Sequence, residues 1–524
     1  VHSVSRKEAA LLGLLAGAVT NYGAFHWLIQ IMDEFTKLGV LRFVIMGVVA
    51  LYQGVPLMLW ALLLRLPRGC GAGRGGAAFS FMLSALSLPV IEFFYPIIFP
   101  WYLANTQHTA TFLTGVIELG GCGLLSMAIV ACNLSLARMA IRREIEPSGP
   151  PIWPTPVSNA RKPTLLIPGL GALLLCFLFS TMRNAQIVRY QEAAPKLTIG
   201  IVQPNHWINQ AQPLEALHDY QQLSLQLVEE SQAVGQPIEL LLWPESAVRT
   251  PAPRFVSERG PSNDSEMVRL PMDLVRVLPG LSRPAPELSM ENAPRWEILS
   301  LQRGHTTPLL FGSTLVDATP GIKGPMPGLP PLYDCGVLLD ATGEVKGIAP
   351  KVELLMFGET IPLSQYFPKV YELLPLASAL MAGKETSVLT LGEARLGIMI
   401  CYEDLLPWFH YRLAKKRPQV LLNLTNDAWF GKTAEAPAHL ALAKLRSIEG
   451  RVPLVRSTST GISAIVDATG RVTGSIDCDV RGVLRGEVAL LDIDTTFERL
   501  GDWVVWLGLF LLMGHLAVRA KRKA

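Results

Sequence analysis

Charge is scarce in this 524-residue chain. Asp, Glu, Lys and Arg supply 17% of residues against 50% hydrophobic ones, and mean hydropathy is +0.33. Soluble domains carry about a quarter charged residues, so an ordinary cytosolic protein is not expected and a polytopic membrane protein is. A basic run mixed with aromatics is also missing, and net charge is only +3, so a nucleic-acid partner has no support. The seven cysteines, Cys70, Cys122, Cys132, Cys176, Cys335, Cys401 and Cys478, form no CxxC pair and no Cys/His cluster at ligand spacing. Zinc, iron–sulfur centres and a dense disulfide framework are therefore disfavoured, and no metal or organic cofactor is expected where, as read below, a cysteine can itself carry the reaction intermediate. No internal repeat recurs at a fixed period.

What is abundant is apolar sequence of spanning length. Five stretches crowd the first 190 residues, roughly 9 to 31, 40 to 64, 77 to 104, 110 to 137 and 164 to 182, and a sixth lies near 503 to 518. Cationic residues stay on the cytoplasmic side of such spans. Arg6 and Lys7 precede the first; Arg65, Arg68 and Arg74 follow the second; Arg138, Arg142, Arg143, Arg161 and Lys162 follow the fourth; the RAKRKA tail follows the sixth. Six alternating spans satisfy this pattern with both termini inside and residues 183 to 502 outside. The first apolar run is span-length and rich in glycine and aromatics, so a cleaved secretory signal is not expected. The first residue, Val1, leaves trimming, processing and a non-standard start codon all open.

The external segment has a different grammar. Short β-rich runs (KLTIGIVQ, IELLLWPE, PLLFGSTL, CGVLLD, RLGIMICYE, VLLNLTN, VPLVRSTSTGISAIVD, VLRGEVALLD) alternate with helical or Pro/Gly-rich connections, which predicts an α/β domain of about 300 residues. Residues 249 to 294 are rich in Pro, Arg and Ser without periodicity and are expected to form a surface loop or lid. The expected domains are 1–190, a transmembrane bundle; 191–500, the external α/β domain; and 501–524, a last transmembrane helix with a basic tail.

Three reactive side chains stand at or near the ends of apolar strands: Glu245 in LLLWPES, Lys351 in GIAPKVELLMFGE and Cys401 in LGIMICYED. Reacting groups of α/β sheets gather outside strand ends. Taken singly, each has a bland reading as a turn, a solvated lysine or a small buried thiol. As a set they make chemistry: a carboxylate can take the thiol proton, and a lysine can favour sulfur anion and then an oxyanion, without histidine. Two further carboxylates, Glu92 and Glu118, fall inside spans, where ionisable groups are costly. They are expected either to line the head-group end of a lipid cavity or to hydrogen-bond between helices.

The motifs WPES, KVELLMFGE, ICYED and NDAWFG, in this order and spacing, resemble the nitrilase (carbon–nitrogen hydrolase) superfamily, whose triad is Glu, Lys and Cys. With the spans, FGETIP, Tyr402-Glu403, TNDAWFG and LRSIEGRVPLVRSTSTGIS, the pattern is similar to the apolipoprotein N-acyltransferase family. The resemblance implies a helical membrane bundle carrying an external α-β-β-α nitrilase-like sandwich on the periplasmic face of the bacterial inner membrane. It implies Glu245 as general base and later proton donor, Lys351 as oxyanion partner and Cys401 as nucleophile, with backbone N–H groups near Cys401 and Tyr402 assisting. Glu359, Tyr402 and Glu403 would support the site, and Trp429 and Phe430 would lie on loops near its entrance or in a packed turn. The implied reaction moves an acyl chain from a phospholipid, foremost phosphatidylethanolamine, through a cysteine thioester to the N-terminal amine of diacylglyceryl-cysteine in apolipoproteins.

The chain departs from the family in places. Fewer N-terminal spans are counted than the family usually has, Met356 stands where a proline is common, and Tyr333-Asp334 replaces Tyr-Asn. Gln203 and Asn205 are kept, but the tryptophan falls at Trp207, and Ser459-Thr460-Gly461 replaces Asn-Thr-Gly. These positions bear on substrate contacts more than on the triad. A membrane-anchored amidase that hydrolyses a small amide is the alternative enzyme, and a non-catalytic membrane scaffold is a third reading that the intact triad opposes. Cys122, Cys132 and Cys176 are expected as packing residues and Cys70 on the inner side. Whether Cys335 and Cys478 pair is open.

Overall fold

The computed structural model describes residues 5–35, 38–65, 74–144, 167–207, 213–248, 254–255, 300–317, 324–325, 331–356, 358–361, 366 and 379–521. The chain divides into two compact units, Val1–Gln186 with Thr495–Ala524, and Ile187–Asp494.

The first unit is helical: α1 (Arg6–Ala24), α2 (Leu28–Phe35), α3 (Leu41–Leu63), α4 (Arg74–Phe94), the one-turn α5 (Thr111–Thr114), α6 (Ile117–Glu144), α7 (Ile167–Ala193) and the closing helices Thr496–Leu500 and Trp503–Lys521. Five helices among the described residues are long and apolar enough to cross a membrane: Leu41–Leu63, Gly76–Phe94, Ile117–Met139, Pro168–Ala193 and Trp503–Lys521. The expected first span over 9 to 31 is instead two helices. Ser5 caps α1 with a box in which its hydroxyl accepts from Glu8 N and Glu8 accepts from Ser5 N, and a turn at residues 25 to 27 ends it, the Phe25 N–H closing on the Asn21 carbonyl.

Small residues let these helices approach. A Cβ at Gly17 of α1 would lie 2.4 Å from the Gly54 carbonyl oxygen of α3, and Asn21 donates to the Gln53 carbonyl at 3.1 Å. Close backbone approach with one polar tie is how helices associate where apolar surface alone gives no preference. Helix α6 is kinked at Gly120 and Gly121, and Gly121 holds φ +67 where a Cβ would strike Asp502 at 2.0 Å. Glycine is required there by both conformation and space.

The second unit carries two sheets. The first has the order β13-β1-β2-β4-β5-β6, with β3 on β4: β1 Lys196–Gln203, β2 Leu240–Leu242, β3 Arg254–Phe255, β4 Leu309–Asp317, β5 Leu332–Leu339, β6 Val345–Pro350 and β13 Gly482–Ala489. The second runs β12-β11-β10-β9-β8-β7: β7 Ser387–Leu391, β8 Ala394–Ile400, β9 Val420–Thr425, β10 Leu454–Thr458, β11 Ser463–Val466 and β12 Val472–Ile476. Alternation along the strands sorts their side chains. Ile199, Ile201, Leu240, Leu242, Leu310 and Leu338 meet Leu396, Ile398, Leu422, Leu424 and Val455 in one apolar layer between the sheets. Leu241, Trp243, Leu309, Phe311 and Val337 point the other way, against Leu217, Tyr220, Leu223 and Leu227 of α8 (Pro213–Ala233). Strands covered on both faces lose the hydrophobic-polar alternation and read as continuous apolar runs, which explains LLLW and GIMI. Helices α9 (Pro407–Ala414), α10 (Glu435–Ala443) and α11 (Leu445–Gly450) bury Phe409, Leu413, Leu445 and Ile448. The architecture is the expected membrane bundle plus α-β-β-α sandwich.

Of residues 249 to 294, only β3 is described, a two-residue parallel partner of β4; the expected loop otherwise lies outside the described residues, as do Cys70, Arg68, Arg161 and Lys162. Replacing Gly17 by Val is expected to force α1 from α3 and lower the melting temperature in detergent by roughly 5 °C or more. Gly47→Val, where a Cβ meets nothing within 4 Å, is expected to leave it unchanged.

Candidate active site

Each residue of the expected triad is set by the end of a strand. Beyond β2, Trp243 N–H donates to the Leu310 carbonyl at 2.9 Å and its indole N–H to Ser224 Oγ at 2.9 Å. Pro244 then accepts from Gly312 N at 3.1 Å, so Glu245 sits directly over β4. A Cβ at Gly312 would lie 2.4 Å from Glu245 Cα; only glycine lets the turn come this close. Lys351 follows β6 without a break, its N–H on the Asp334 carbonyl at 2.8 Å and its own carbonyl accepting from Gly383 N at 2.7 Å. Cys401 follows β8 at φ +50, outside the usual range for a residue with a side chain. Asn423 Nδ2 holds its carbonyl at 3.2 Å, and the Thr425 hydroxyl hydrogen-bonds the sulfur. Strain of this kind persists only where neighbours fix it, and it turns a side chain out of the strand direction.

These three ends meet inside the protein. Lys351 is fully buried, with Nζ 3.2 Å from Glu245, 2.5 Å from Glu359 and 3.9 Å from Asp334. Burial works against its charge, but Glu245 and Glu359 outweigh burial and hold its pKa well above the ordinary lysine value. Burial pushes the Cys401 thiol up, Glu245 adds to the effect, and Lys351 opposes it. The resting sulfur is therefore a thiol, and a base must take its proton as it reacts. Burial, followed by Glu245, raises Asp334 well above the usual carboxylate range.

Glu403 ties two of the strand ends together. One oxygen accepts from Val352 N at 2.6 Å and Glu353 N at 3.1 Å, just past Lys351; the other accepts from Ile400 N at 2.8 Å, just before Cys401. Burial raises its pKa to about 8 against the pull of these three donors. Glu359 clamps its own loop, accepting from Leu355 N at 2.8 Å as well as from Lys351. Tyr402 is half-buried against the inter-sheet layer. Trp429 is exposed and Phe430 half-buried on a one-turn helix, Asp427–Phe430, whose cap is the Asn426 side chain on Ala428 N.

A second polar centre lies on the other face of the second sheet. Arg456, wholly buried, donates to Asp404 at 2.7 Å, to Asp427 at 2.8 Å and to Asn423 at 3.3 Å, while His439 bridges Asp404 at 2.8 Å and Asp427 at 3.1 Å. Burial and Arg456 oppose a charge on His439, but Asp404 and Asp427 outweigh them and raise its pKa. Through Asn423 this centre reaches the Cys401 carbonyl, and through Asp427 it reaches the Trp429 turn. Sequence reading passed over Asn423, Asp404, Arg456 and Gly312. The available signal was a polar residue inside an apolar strand, VLLNLT and LVRST. A Cβ at Gly461 would meet Asp427 at 2.0 Å, so that glycine belongs to the same centre.

The remaining candidates have protein partners. Glu92 accepts from Leu103 N at 2.9 Å and from Ser126 Oγ at 3.1 Å, and Glu118 pairs with Arg183 at 2.8 Å. Gln203 staples Ser463, Thr458, Asp477 and Val480, and Asn205 donates to the Asp479 carbonyl. Ser459 Oγ donates to the His206 carbonyl, Lys432 lies over Trp207, and Met356 is partly exposed. Cys335 and Cys478 are not joined. Cys335 faces the α8 side of its sheet.

A glutamine at 403 would aim an amide N–H at a backbone N–H whichever way it turned. Glu403→Gln is expected to cost about 1–3 kcal/mol of unfolding stability and to slow alkylation of Cys401 about tenfold, read by denaturant titration and by mass spectrometry. Gly312→Ala is expected to displace Glu245 and slow Cys401 chemistry more than it lowers the melting temperature.

Residues 319–496 match the family model for carbon-nitrogen hydrolases, and residues 1–135 match that for the apolipoprotein N-acyltransferase N-terminal domain. An apolipoprotein N-acyltransferase of Geobacter metallireducens is 26% identical over 95% of this chain and 85% of its own length. Apolipoprotein N-acyltransferase 2 of Leptospira interrogans is 26% identical over 96% and 87%. Among solved structures, an amidase from Nesterenkonia sp. is 19% identical with a TM-score of 0.35, covering 56% of this chain and 90% of its own. The two family models fall on its two different units, and over nearly its whole length the chain is similar to apolipoprotein N-acyltransferases.

Proposed function

We infer that this chain is an inner-membrane acyltransferase that N-acylates lipoproteins, with Glu245, Lys351 and Cys401 as its catalytic residues and a phospholipid as donor. The observation that carries the chemistry is a buried thiol on a strained turn beside a buried Lys351–Glu245 pair 3.2 Å apart. In the first half-reaction, the Cys401 sulfur attacks an ester carbonyl of the phospholipid while Glu245 accepts the S–H proton. Lys351 stabilises the negative oxygen of the tetrahedral intermediate, the kind of stabilisation that contributes most to acyl transfer. Collapse breaks the ester C–O bond, Glu245 returns its proton to the leaving oxygen, and a lysophospholipid departs from the thioester. In the second half, the acceptor's α-amine attacks the thioester, an N–H proton passes through Glu245 to sulfur, and the amide product leaves Cys401 as a thiol.

The membrane helices support this reading because donor and acceptor are both lipid-anchored. We further propose that residues 191–500 lie on the periplasmic side, where the positive-inside pattern of the loops puts them, and that phosphatidylethanolamine is the preferred donor. Glu403 and Glu359 act as positioning residues.

Intact-protein mass spectrometry tests the proposal. Incubation with phosphatidylethanolamine is expected to add one acyl chain to the full-length protein, to add none to Cys401→Ala, and to proceed about a hundredfold or more slower in Glu245→Gln. Adding a diacylglyceryl-cysteine peptide is expected to move the acyl group to the peptide amine. A folded wild type that gains no mass, or an acyl group lost to water equally fast with and without peptide, would overturn it.

A further inference from the structure

Asp334 stands on the inter-sheet face of β5, on the same face as Gly336 and Leu338. Leu338 lies in the inter-sheet layer, and a Cβ at Gly336 would touch Ile398 and Leu424 of the second sheet. An acid at the end of that apolar row is 3% exposed. Its carboxyl is in hydrogen-bonding contact with that of Glu245, and its Oδ1 is buried with no donor in reach. Ligand-capable oxygens of Asp334, Glu245 and Glu359 all lie within 4.8 Å of one another. Lys351 is the cation they share. Three ionised carboxylates around one lysine would leave two unbalanced negative charges in a dry site, and two ionised carboxyls cannot hydrogen-bond because both only accept.

We propose that Asp334 is a positioning residue that carries a proton and donates it, as a hydrogen bond, to the Glu245 carboxylate. The proton belongs to the pair, and Lys351 decides its place: Nζ is 3.2 Å from Glu245 and 3.9 Å from Asp334, so the negative charge settles on Glu245. Burial, Glu245 and Glu359 all favour the neutral form of Asp334, and Lys351 opposes them. Cys335, the next residue, points to the opposite face of β5; Glu403 reaches the site through backbone N–H groups beside Lys351 and Cys401. The neutral acid has two effects. It fixes the orientation of the Glu245 carboxylate for the thiol proton, and it keeps a second negative charge away from a sulfur that must itself become negative. As pH rises and Asp334 loses its proton, that charge appears, and Cys401 becomes harder to ionise.

This inference rests on Cys401 as the reacting thiol, as proposed above, yet it can be tested without acyl transfer. The first measurement is infrared difference spectroscopy of the full-length protein with and without carbon-13 aspartate. A protonated-carboxyl band at neutral pH that moves with the label and disappears in Asp334→Asn is expected. The absence of a label-sensitive band overturns the proposal whether or not the protein acylates. The second is the rate of iodoacetamide alkylation at the Cys401 peptide across pH. Asp334→Asn, which keeps a donor and cannot ionise, is expected to match wild type at neutral pH within about threefold and to react about tenfold faster on the alkaline side, because a like charge nearby is removed. Asp334→Ala, lacking the donor, is expected to slow neutral-pH acylation about tenfold or more relative to Asp334→Asn. Superimposable alkylation profiles for wild type and Asp334→Asn, or equal losses in the Asn and Ala variants, overturn it. Failure of wild type to form an acyl adduct, with the infrared band present, overturns the reaction and leaves the proton where it is placed here.

Discussion

A lysine ammonium without access to water organises the catalytic unit. An isolated cation in such a place would cost several kcal/mol or more, and the fold answers with carboxylates from different elements: Glu245 beyond β2, Asp334 in β5 and Glu359 in the loop after β6. Because none of these neighbours is close in sequence to all the others, the charge can be satisfied only when the strands have paired and the loop has closed over their ends. Cys401 enters from the other sheet. The site is therefore a product of tertiary assembly, with no fragment that holds it alone.

Two buried polar centres flank the second sheet, one on each face, and the strand alternation explains why they do not merge. In β9, Leu422 and Leu424 point to the inter-sheet layer while Asn423 points to Arg456 and Asp404. Asn423 touches both worlds, since its amide also holds the Cys401 carbonyl. The strained turn at Cys401 is thus braced from behind by a network that never meets substrate in the proposed reaction. Buried charges of this sort are expensive unless fully paired, and their return is a defined geometry more than raw stability.

Much of this could be read from the chain. Continuous apolar runs such as IELLL and LGIMI marked the central strands, and the reactive residues stood at their ends. The strands that escaped notice were β3, on residues expected to form a loop, and β7 and β12, both sheet edges. Edge strands bury less and carry polar residues, as VTGSI does, so they lack the pattern that reveals a central strand. The first expected span also came out differently, because the chain turns at residues 25 to 27, inside a run that composition alone reads as continuous. Within the site, Glu403 looked like no more than a sequence neighbour of Cys401. Its bonds to Val352 and Glu353 depend on two strands meeting across the sandwich, and local sequence carries no trace of that.

The raised pKa of Cys401 has a meaning outside the reaction itself. Oxidation to sulfenic acid and exchange with disulfides both proceed through the thiolate. A cysteine kept as a thiol by burial and adjacent carboxylates is slow to enter either path. In the proposed reaction, the same arrangement makes the sulfur depend on Glu245 for activation and keeps it a thiol between turnovers.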